Sequence, residues 1–119
     1  MSGARSTTDV GRLGETIAAA YLELQGYAVV ARNVRCGRRE IDLVVRRGDL
    51  TCYVEVRLRR RGRYGTAVET IGGTKQRRVW SAALVLAKAS GATRCDVIAI
   101  DYAPDGGLVL THVVDAIRA

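Results

Sequence analysis

Two acidic residues stand where they could hold a divalent metal ion. Asp42 lies in a segment that alternates apolar and polar residues over positions 40–46, and Glu55 lies in a second such segment over positions 50–58. Alternation of this kind predicts two β-strands, each with one buried face. Carboxylate oxygens are the donors that Mg²⁺ or Mn²⁺ prefers, and a metal ion held by them can polarise a phosphate and acidify a water molecule. The chemistry expected of such a pair is phosphodiester hydrolysis.

The turn between the two segments fixes the predicted register of the hairpin. Gly48-Asp49 is typical of a two-residue turn with glycine in the first position. Counting outward from the turn puts Asp42 directly opposite Glu55, with Cβ atoms about 5 Å apart. Two ionised carboxylates at that separation repel each other by a few kcal/mol at an effective dielectric constant of about 20, so the pair indicates a bound cation. The apolar residues then face one another on the other side, as the pairs Leu43–Val54 and Ile41–Val56.

An ion-pair network is the alternative interpretation of the same charges. In such a network the acids and bases of this region neutralise one another on a solvated face, and no metal ion is involved. Its members would be Glu40, Asp42, Glu55, Arg57, Arg39 and Lys75.

The basic residues are more numerous than the acids and they are clustered. The chain of 119 residues has a formal net charge of +7, which predicts a polyanionic partner, most simply nucleic acid. A general preference for arginine over lysine is the alternative explanation of the excess. The residues predicted to contact nucleic acid are Arg39, Arg59, Arg60, Arg61, Arg63, Arg77 and Arg78.

Composition excludes several other classes of protein. The three cysteines are far apart and the chain has a single histidine, His112, so a structural zinc site is excluded and His112 is interpreted as structural. No apolar run approaches the roughly 20 residues that span a bilayer. The polar N-terminus does not resemble a secretory signal. We therefore expect a single cytoplasmic domain over residues 1–119, without a membrane partner and with flexible residues 1–9.

The first predicted element is a helix over residues 11–25, capped by Thr8 or Asp9 and ended by Gly26. Its apolar stripe is formed by Leu13, Ile17, Tyr21 and Leu24. A second stripe carries Glu15 among small residues, and small residues would allow another element to approach closely. Glu15 would then be an acid on a half-buried face, which is unusual.

The remaining pattern predicts strands over residues 27–33, 40–46, 50–58, 94–102 and 108–114, with a second helix over residues 74–89. The order αβββαββ indicates an α/β fold in which helices flank a mixed sheet.

Short motifs also occur in a fixed order between about residues 11 and 100. They are Gly11-Arg12-Leu13-Gly14-Glu15, Ala18, Tyr21-Leu22, Gly26-Tyr27, Ala31-Arg32-Asn33, Glu40-Ile41-Asp42-Leu43, Val54-Glu55-Val56, Lys75 and Asp96-Val97-Ile98. In order and spacing they resemble the YraN-like family, whose members are expected to be endonucleases. This resemblance implies the restriction-endonuclease-like fold, with an αβββαβ core similar to that of archaeal Holliday-junction resolvases.

The resemblance also implies a function and roles for residues. The function is metal-dependent cleavage of DNA, including branched or structured DNA, with Mg²⁺ or Mn²⁺ as cofactor. Asp42 and Glu55 would bind the metal ion, Glu15 would support the site from the helix, and the carbonyl of Val56 would complete the ligand shell. Lys75 matches the family's helix lysine. A homodimer would suit cleavage of two strands.

Two positions depart from the family pattern. The family's Glu-Val-Lys reads Glu55-Val56-Arg57, and its Gly-Glu-Ile-Asp reads Arg39-Glu40-Ile41-Asp42. A lysine in the position of Arg57 can lose its proton, whereas arginine, with a pKa above about 12, cannot. Arg57 could hold the scissile phosphate and act with Lys75, or it could pair with Glu40 and fill the site. The alternative to an endonuclease is therefore a catalytically impaired nucleic-acid-binding protein of the same fold.

Overall fold

The computed structural model describes residues 7–36, 39–60 and 91–116. These residues form one helix and five strands: α1 (Thr7–Leu24), β1 (Ala28–Cys36), β2 (Arg39–Arg47), β3 (Leu50–Arg60), β4 (Ala92–Tyr102) and β5 (Leu108–Val113). The strands make one mixed sheet in the order β1-β2-β3-β4-β5, in which β3 and β4 are parallel and the other neighbours are antiparallel. The predicted α/β class with a mixed sheet is confirmed. The helix predicted over residues 74–89 lies outside the described residues.

Helix α1 begins earlier than predicted and ends as predicted. It starts at Thr7, so Thr8 and Asp9 lie within the helix and are not its caps. Neither glycine nor proline occurs between Thr7 and Val10, so the helix can extend through this stretch. At the other end Gly26 has φ 91°, and the amide of Tyr27 donates to the carbonyl of Leu22 at 3.0 Å. This is the Schellman arrangement that glycine favours at the end of a helix.

The face of α1 that packs on the sheet is the stripe of small residues. Ala18 and Leu22 are fully buried, whereas Leu13 is 43% exposed and Leu24 is 86% exposed. The prediction that the apolar stripe faces the core was therefore wrong at the two ends of the stripe, where Leu13 and Leu24 are exposed. The second stripe packs on the sheet because its small side chains let the helix backbone approach the sheet closely.

Gly14 marks the closest approach of α1 to β3. A Cβ atom added at Gly14 would lie 3.4 Å from Cβ of Leu58 and 3.6 Å from Cγ1 of Val56. The next residue of the helix, Glu15, is consequently held near the sheet on a half-buried face.

The predicted hairpin register is confirmed over its first part. Gly48 has φ 61°, as the first residue of the predicted turn requires. The ladder runs from the pair Arg47–Leu50 to the pair Leu43–Val54.

Two hydrophobic clusters lie on opposite faces of the sheet. The cluster under α1 contains Leu22, Leu43, Val54 and Ile98, and the cluster on the other face contains Ile41, Val44, Tyr53, Cys95 and Val97. Cys52 and Cys95 are free and buried, as expected of small core residues. Within the described ranges, none of the helical segments combines the length and the hydropathy required to span a membrane.

Candidate metal centre

Strands β2 and β3 stop pairing at Asp42. The last regular pair of their ladder is Leu43–Val54. One residue beyond it, the side chain of Asp42 takes the place of a backbone partner, because the amide of Val56 donates to Oδ2 of Asp42 at 2.7 Å. The predicted direct opposition of Asp42 and Glu55 is therefore not part of the ladder. The carboxylate of Asp42 is instead fixed against the backbone of β3.

The alternation of β2 is also interrupted at Asp42. Ile41 was predicted to share a face with Leu43, but the two residues pack in different clusters on opposite faces of the sheet. Asn33 of β1 stands opposite Asp42, between two regular pairs of the β1–β2 ladder, and has φ 50°. Asparagine tolerates this left-handed conformation better than most residues. The irregular backbone at Asn33 and Asp42 explains why the predicted register does not continue.

Three carboxylates converge at this irregularity. Glu15 of α1 and Glu40 and Asp42 of β2 each place one carboxylate oxygen within 4.8 Å of the other two. Glu15 and Asp42 are half-buried, and Glu40 is exposed. The structure therefore brings together two of the predicted metal ligands and adds Glu40 to them. In the part of the chain that the structure describes, Glu55 is not a member of this group.

The donors of this group fit a hard divalent cation. Oxygens bound at about 2.1 Å to one octahedral Mg²⁺ ion lie about 3.0 Å apart when adjacent and about 4.2 Å apart when opposite. The three carboxylate oxygens lie within 4.8 Å of one another, so they must move closer together to bind one ion. The side chain of Glu40 can move toward the other two carboxylates at little cost, because it is exposed. The residues therefore suit Mg²⁺ or Mn²⁺ with water or phosphate as further ligands.

The pKa of Glu15 is raised above its ordinary value of 4.5, chiefly by burial. A hydrogen bond from the side chain of Asn33 lowers this pKa in part, and the negative charge of Glu40 raises it. Burial and the neighbouring carboxylate therefore both oppose the ionised form of Glu15. A bound cation would favour the ionised form.

Two of the three acids line a pocket together with two arginines. Glu15, Asp42, Arg57 and Arg59 are among the residues that line an open pocket of about 300 Å³, whose remaining walls are Gly11, Val56 and Leu58. Acids and arginines in one pocket are the residue types that a metal ion and a phosphate require together.

Glu55 and Arg57 form an ion pair next to this pocket. Nη2 of Arg57 lies 3.2 Å from Oε1 of Glu55, and Glu55 is only 3% exposed. The sequence alone offered Glu40 as the partner of Arg57, and the ion pair is made with Glu55. The roles of Glu55 as a metal ligand and of the Val56 carbonyl as another stay predictions.

The other predicted site residues divide into two groups. Arg59 and Arg60 belong to β3, with Arg60 exposed at its end, and Arg39 is the first residue of β2. Their contacts with nucleic acid stay predictions. The remainder, which comprises Lys75, Arg61, Arg63, Arg77 and Arg78, lies outside the described residues.

Glu40 and Asn33 are the residues that sequence reasoning missed. Glu40 was considered only as a partner of Arg57 or as a member of an ion-pair network. The signal for its role was its position two residues before Asp42, because residues i and i+2 of a strand share a face. Nothing in the sequence distinguished the left-handed conformation of Asn33 from that of an ordinary strand residue.

The sequence matches one protein family over most of its length. The family described as Uncharacterised protein family UPF0102 matches residues 14–100. A UPF0102 protein of Symbiobacterium thermophilum is 40% identical over 114 residues, which cover 92% of this chain and 97% of that protein. A UPF0102 protein of Pseudomonas aeruginosa is 41% identical, with 85% of each chain covered, and one of Chlorobium chlorochromatii is 34% identical, with 98% and 96% covered. The names of these relatives state a family and no activity.

Proposed function

The chain belongs to the Uncharacterised protein family UPF0102, which confirms the resemblance to the YraN-like family, and we propose that it is a metal-dependent endonuclease acting on DNA. The observation that carries the proposal is the convergence of the Glu15, Glu40 and Asp42 carboxylates. Two of these acids, Glu15 and Asp42, line a pocket together with Arg57 and Arg59. The net charge of +7 supports a polyanionic substrate.

In the proposed mechanism the carboxylates of Glu15, Glu40 and Asp42 hold the cofactor, Mg²⁺ or Mn²⁺. When bound, the ion supplies positive charge to the phosphate and lowers the pKa of an attacking water molecule. Asp42 keeps its orientation because the amide of Val56 donates to its Oδ2 atom. A metal ligand that is held in place in this way need not reorganise during the reaction, which favours catalysis.

Arg57 and Arg59 are the proposed phosphate contacts. Both line the pocket next to the acids, and arginine can donate two parallel hydrogen bonds to a phosphate. The ion pair with Glu55 restricts the orientation of the Arg57 guanidinium. Because arginine keeps its proton, Arg57 would stabilise charge in the transition state and would not act as a base.

A specific observation favours a second candidate function, nucleic-acid binding without cleavage. Arg57 occupies the position of the expected lysine, and its charge is already engaged by Glu55 at 3.2 Å. If that pair persists when DNA binds, the Arg57 guanidinium is not available to the scissile phosphate. Binding would then show the negative dependence of log affinity on log salt that phosphate contacts produce, with no requirement for metal.

The direct test combines metal binding with cleavage. Calorimetry with Mn²⁺ should show one site in the unmodified protein and a loss of affinity of about tenfold or more in Asp42→Asn and Glu15→Gln, because each removes a charged ligand. Linear, nicked and four-way DNA incubated with Mg²⁺ or Mn²⁺ should be cleaved, the four-way substrate fastest. Asp42→Asn retains an oxygen that can accept from Val56, so the local backbone is preserved.

Matched controls are available for both substitutions. Asp49→Asn removes an exposed carboxylate from the hairpin turn, and Glu23→Gln removes an exposed carboxylate from the same helix as Glu15. Neither should change Mn²⁺ affinity or cleavage. Undiminished cleavage by Asp42→Asn would contradict the proposal. DNA binding without metal binding or cleavage would leave the second candidate.

A further inference from the structure

A second polar cluster lies at the other end of α1, around the carboxylate of Asp96. This carboxylate is fully buried. Nε and Nη2 of Arg94 donate to its Oδ1 and Oδ2 atoms, both at 2.8 Å, and the amide of Asp115 donates to Oδ1 at 2.9 Å. Nε2 of His112 lies 2.7 Å from Oδ2. Asp96 thus fixes the side chains of Arg94 and His112 in one orientation.

The hydrogen bonds of His112 define its tautomer. Since Nε2 donates to the carboxylate of Asp96, the neutral ring has an unprotonated Nδ1 atom, which accepts from the hydroxyl of Tyr21 at 2.9 Å. Both ring nitrogens are therefore engaged within the protein. His112 acts as a support that connects β5 to α1 and to β4.

Two guanidinium groups contact Tyr27. Nη2 of Arg94 donates to the hydroxyl oxygen of Tyr27 at 2.6 Å. Cζ of Arg47 lies 4.3 Å from the centroid of the same ring, and Nη1 of Arg47 donates to the carbonyl of Gln25 at 3.2 Å. The hydroxyl of Tyr27 accepts from Arg94 and keeps its own hydrogen to donate. Two arginines and one hydroxyl donor are thereby held in fixed positions.

These groups surround an open pocket of about 310 Å³, which we call the arginine–tyrosine pocket. Its walls are Tyr21, Gln25, Tyr27, Arg47, Arg94, His112 and Val114. No carboxylate lines the pocket among the residues that the structure describes. Two guanidinium groups stand against the one buried carboxylate of Asp96, so the cluster has an excess of one positive charge with His112 neutral. That charge matches one phosphodiester group.

We propose that the arginine–tyrosine pocket binds a phosphate group of the nucleic acid, with Arg47, Arg94 and the hydroxyl of Tyr27 as donors. The assignment of the phosphate to nucleic acid rests on the proposed function, whereas an anion site as such does not. Glu15 and Tyr21 are six residues apart on α1, about 9 Å along the helix axis. That distance is comparable to the spacing of neighbouring phosphates along one strand, so one strand can contact the acidic group and the pocket together.

The first experiment tests the anion site without DNA and without metal. Inorganic phosphate is titrated into the ¹⁵N-labelled protein at constant ionic strength, and the Nε–Hε signals of the arginines are followed by NMR. Signals of Arg47 and Arg94 should shift with phosphate and not with chloride. Arg47→Gln should weaken this response about tenfold, whereas Arg46→Gln should leave it within about twofold. Arg46 is exposed, and as the neighbouring strand residue it points to the other side of β2.

The second experiment identifies the source of the phosphate. A short duplex with a 5′-phosphate and one with a 5′-hydroxyl are bound to the unmodified protein, Arg47→Gln, Tyr27→Phe and Arg46→Gln in EDTA. We expect Arg47→Gln to lower the affinity for both duplexes about tenfold and to reduce the salt slope by about one, with a smaller loss in Tyr27→Phe and none in Arg46→Gln. A preference for the 5′-phosphate that Arg47→Gln abolishes would place a terminal phosphate in the pocket.

The inference and the proposed function fail in different ways. Phosphate-dependent shifts with no cleavage of any DNA would leave the pocket standing and count against the nuclease. Equal effects of Arg47→Gln and Arg46→Gln on DNA affinity would overturn the inference. So would phosphate-dependent NMR shifts that do not include the signals of Arg47 and Arg94. Thermal unfolding of each variant checks that the fold is retained. Arg47→Lys, which keeps the charge but loses the two-pronged donor, should show an intermediate affinity.

Discussion

Arg57 determines which of the two proposed functions the acidic pocket can perform. Its guanidinium lies 3.2 Å from Glu55, and Arg57 is among the residues that line the pocket with Glu15 and Asp42. An arginine there can bind and neutralise a phosphate but cannot exchange a proton at neutral pH. Arg57 would therefore contribute to catalysis through its charge and not as a base.

Substituting Arg57 with lysine therefore gives a directional prediction. If Arg57 stabilises the transition state with two hydrogen bonds, Arg57→Lys should reduce the rate of cleavage about tenfold, which corresponds to about 1.4 kcal/mol. Single-turnover cleavage of four-way DNA in Mn²⁺ measures this, with Arg46→Lys as the exposed control next to the hairpin turn. A gain of cleavage in Arg57→Lys would instead identify a decayed site.

Asp96 gives a prediction for stability. Asp96→Asn would leave the charge of Arg94 without its carboxylate, so the free energy of unfolding should fall by about 2–4 kcal/mol. Urea unfolding measures the loss, with Asp49→Asn as the exposed control. An unchanged midpoint for Asp96→Asn would contradict the view that this carboxylate organises the cluster.

The pH dependence of the same variant follows from the pKa of Asp96. Burial raises this pKa, but hydrogen bonds from Arg94, the amide of Asp115 and His112 outweigh burial and hold it below the ordinary value of 3.8. A lowered pKa gives stability that is present above pH 3.8 and lost as the pH falls through the folded-state pKa. The difference in unfolding free energy between the unmodified protein and Asp96→Asn should therefore shrink as the pH falls below about 4.

At the scale of elements, local sequence patterns were sufficient to predict the strands and the end of α1. The hairpin register followed from Gly48, and Gly26 ended the helix where it was predicted to. The buried face of α1 and the irregularity at Asp42 could not be predicted in this way. Both depend on contacts between segments distant in sequence, namely Gly14 against Leu58 and α1 against β2. The candidate site lies where the simple alternation of β2 fails.

Two glycines of α1 should respond to alanine with opposite signs. Gly11 is exposed within the helix and a Cβ atom there would meet nothing within 4 Å, so Gly11→Ala should stabilise the protein by about 0.5–1 kcal/mol. Gly26 has φ 91°, which alanine adopts with strain, so Gly26→Ala should destabilise it by about 1 kcal/mol or more. Thermal unfolding of the two variants is the measurement. A shift of the same sign in both would contradict the assigned helix end.

At the scale of the whole molecule, α1 connects two sites of opposite charge. Its N-terminal half presents Glu15 to the acids of β2, and its C-terminal end adjoins Arg47 and Arg94. A phosphate chain lying along the helix would meet the metal site with one phosphate and the arginine–tyrosine pocket with another. The two sites would then contribute to one binding event while remaining chemically independent.

This independence leads to a prediction for combined variants. Arg47→Gln should lower DNA affinity in EDTA and leave Mn²⁺ affinity within about twofold, and Asp42→Asn should do the reverse, because the changes lie in separate pockets. The free-energy changes of the double variant should equal the sum of the single ones within about 0.5 kcal/mol. Glu15→Gln with Asp42→Asn should be strongly non-additive in Mn²⁺ affinity, since both would be ligands of one ion. Calorimetry and fluorescence anisotropy measure the two affinities, and a coupling above that limit between Arg47 and Asp42 would contradict two independent sites.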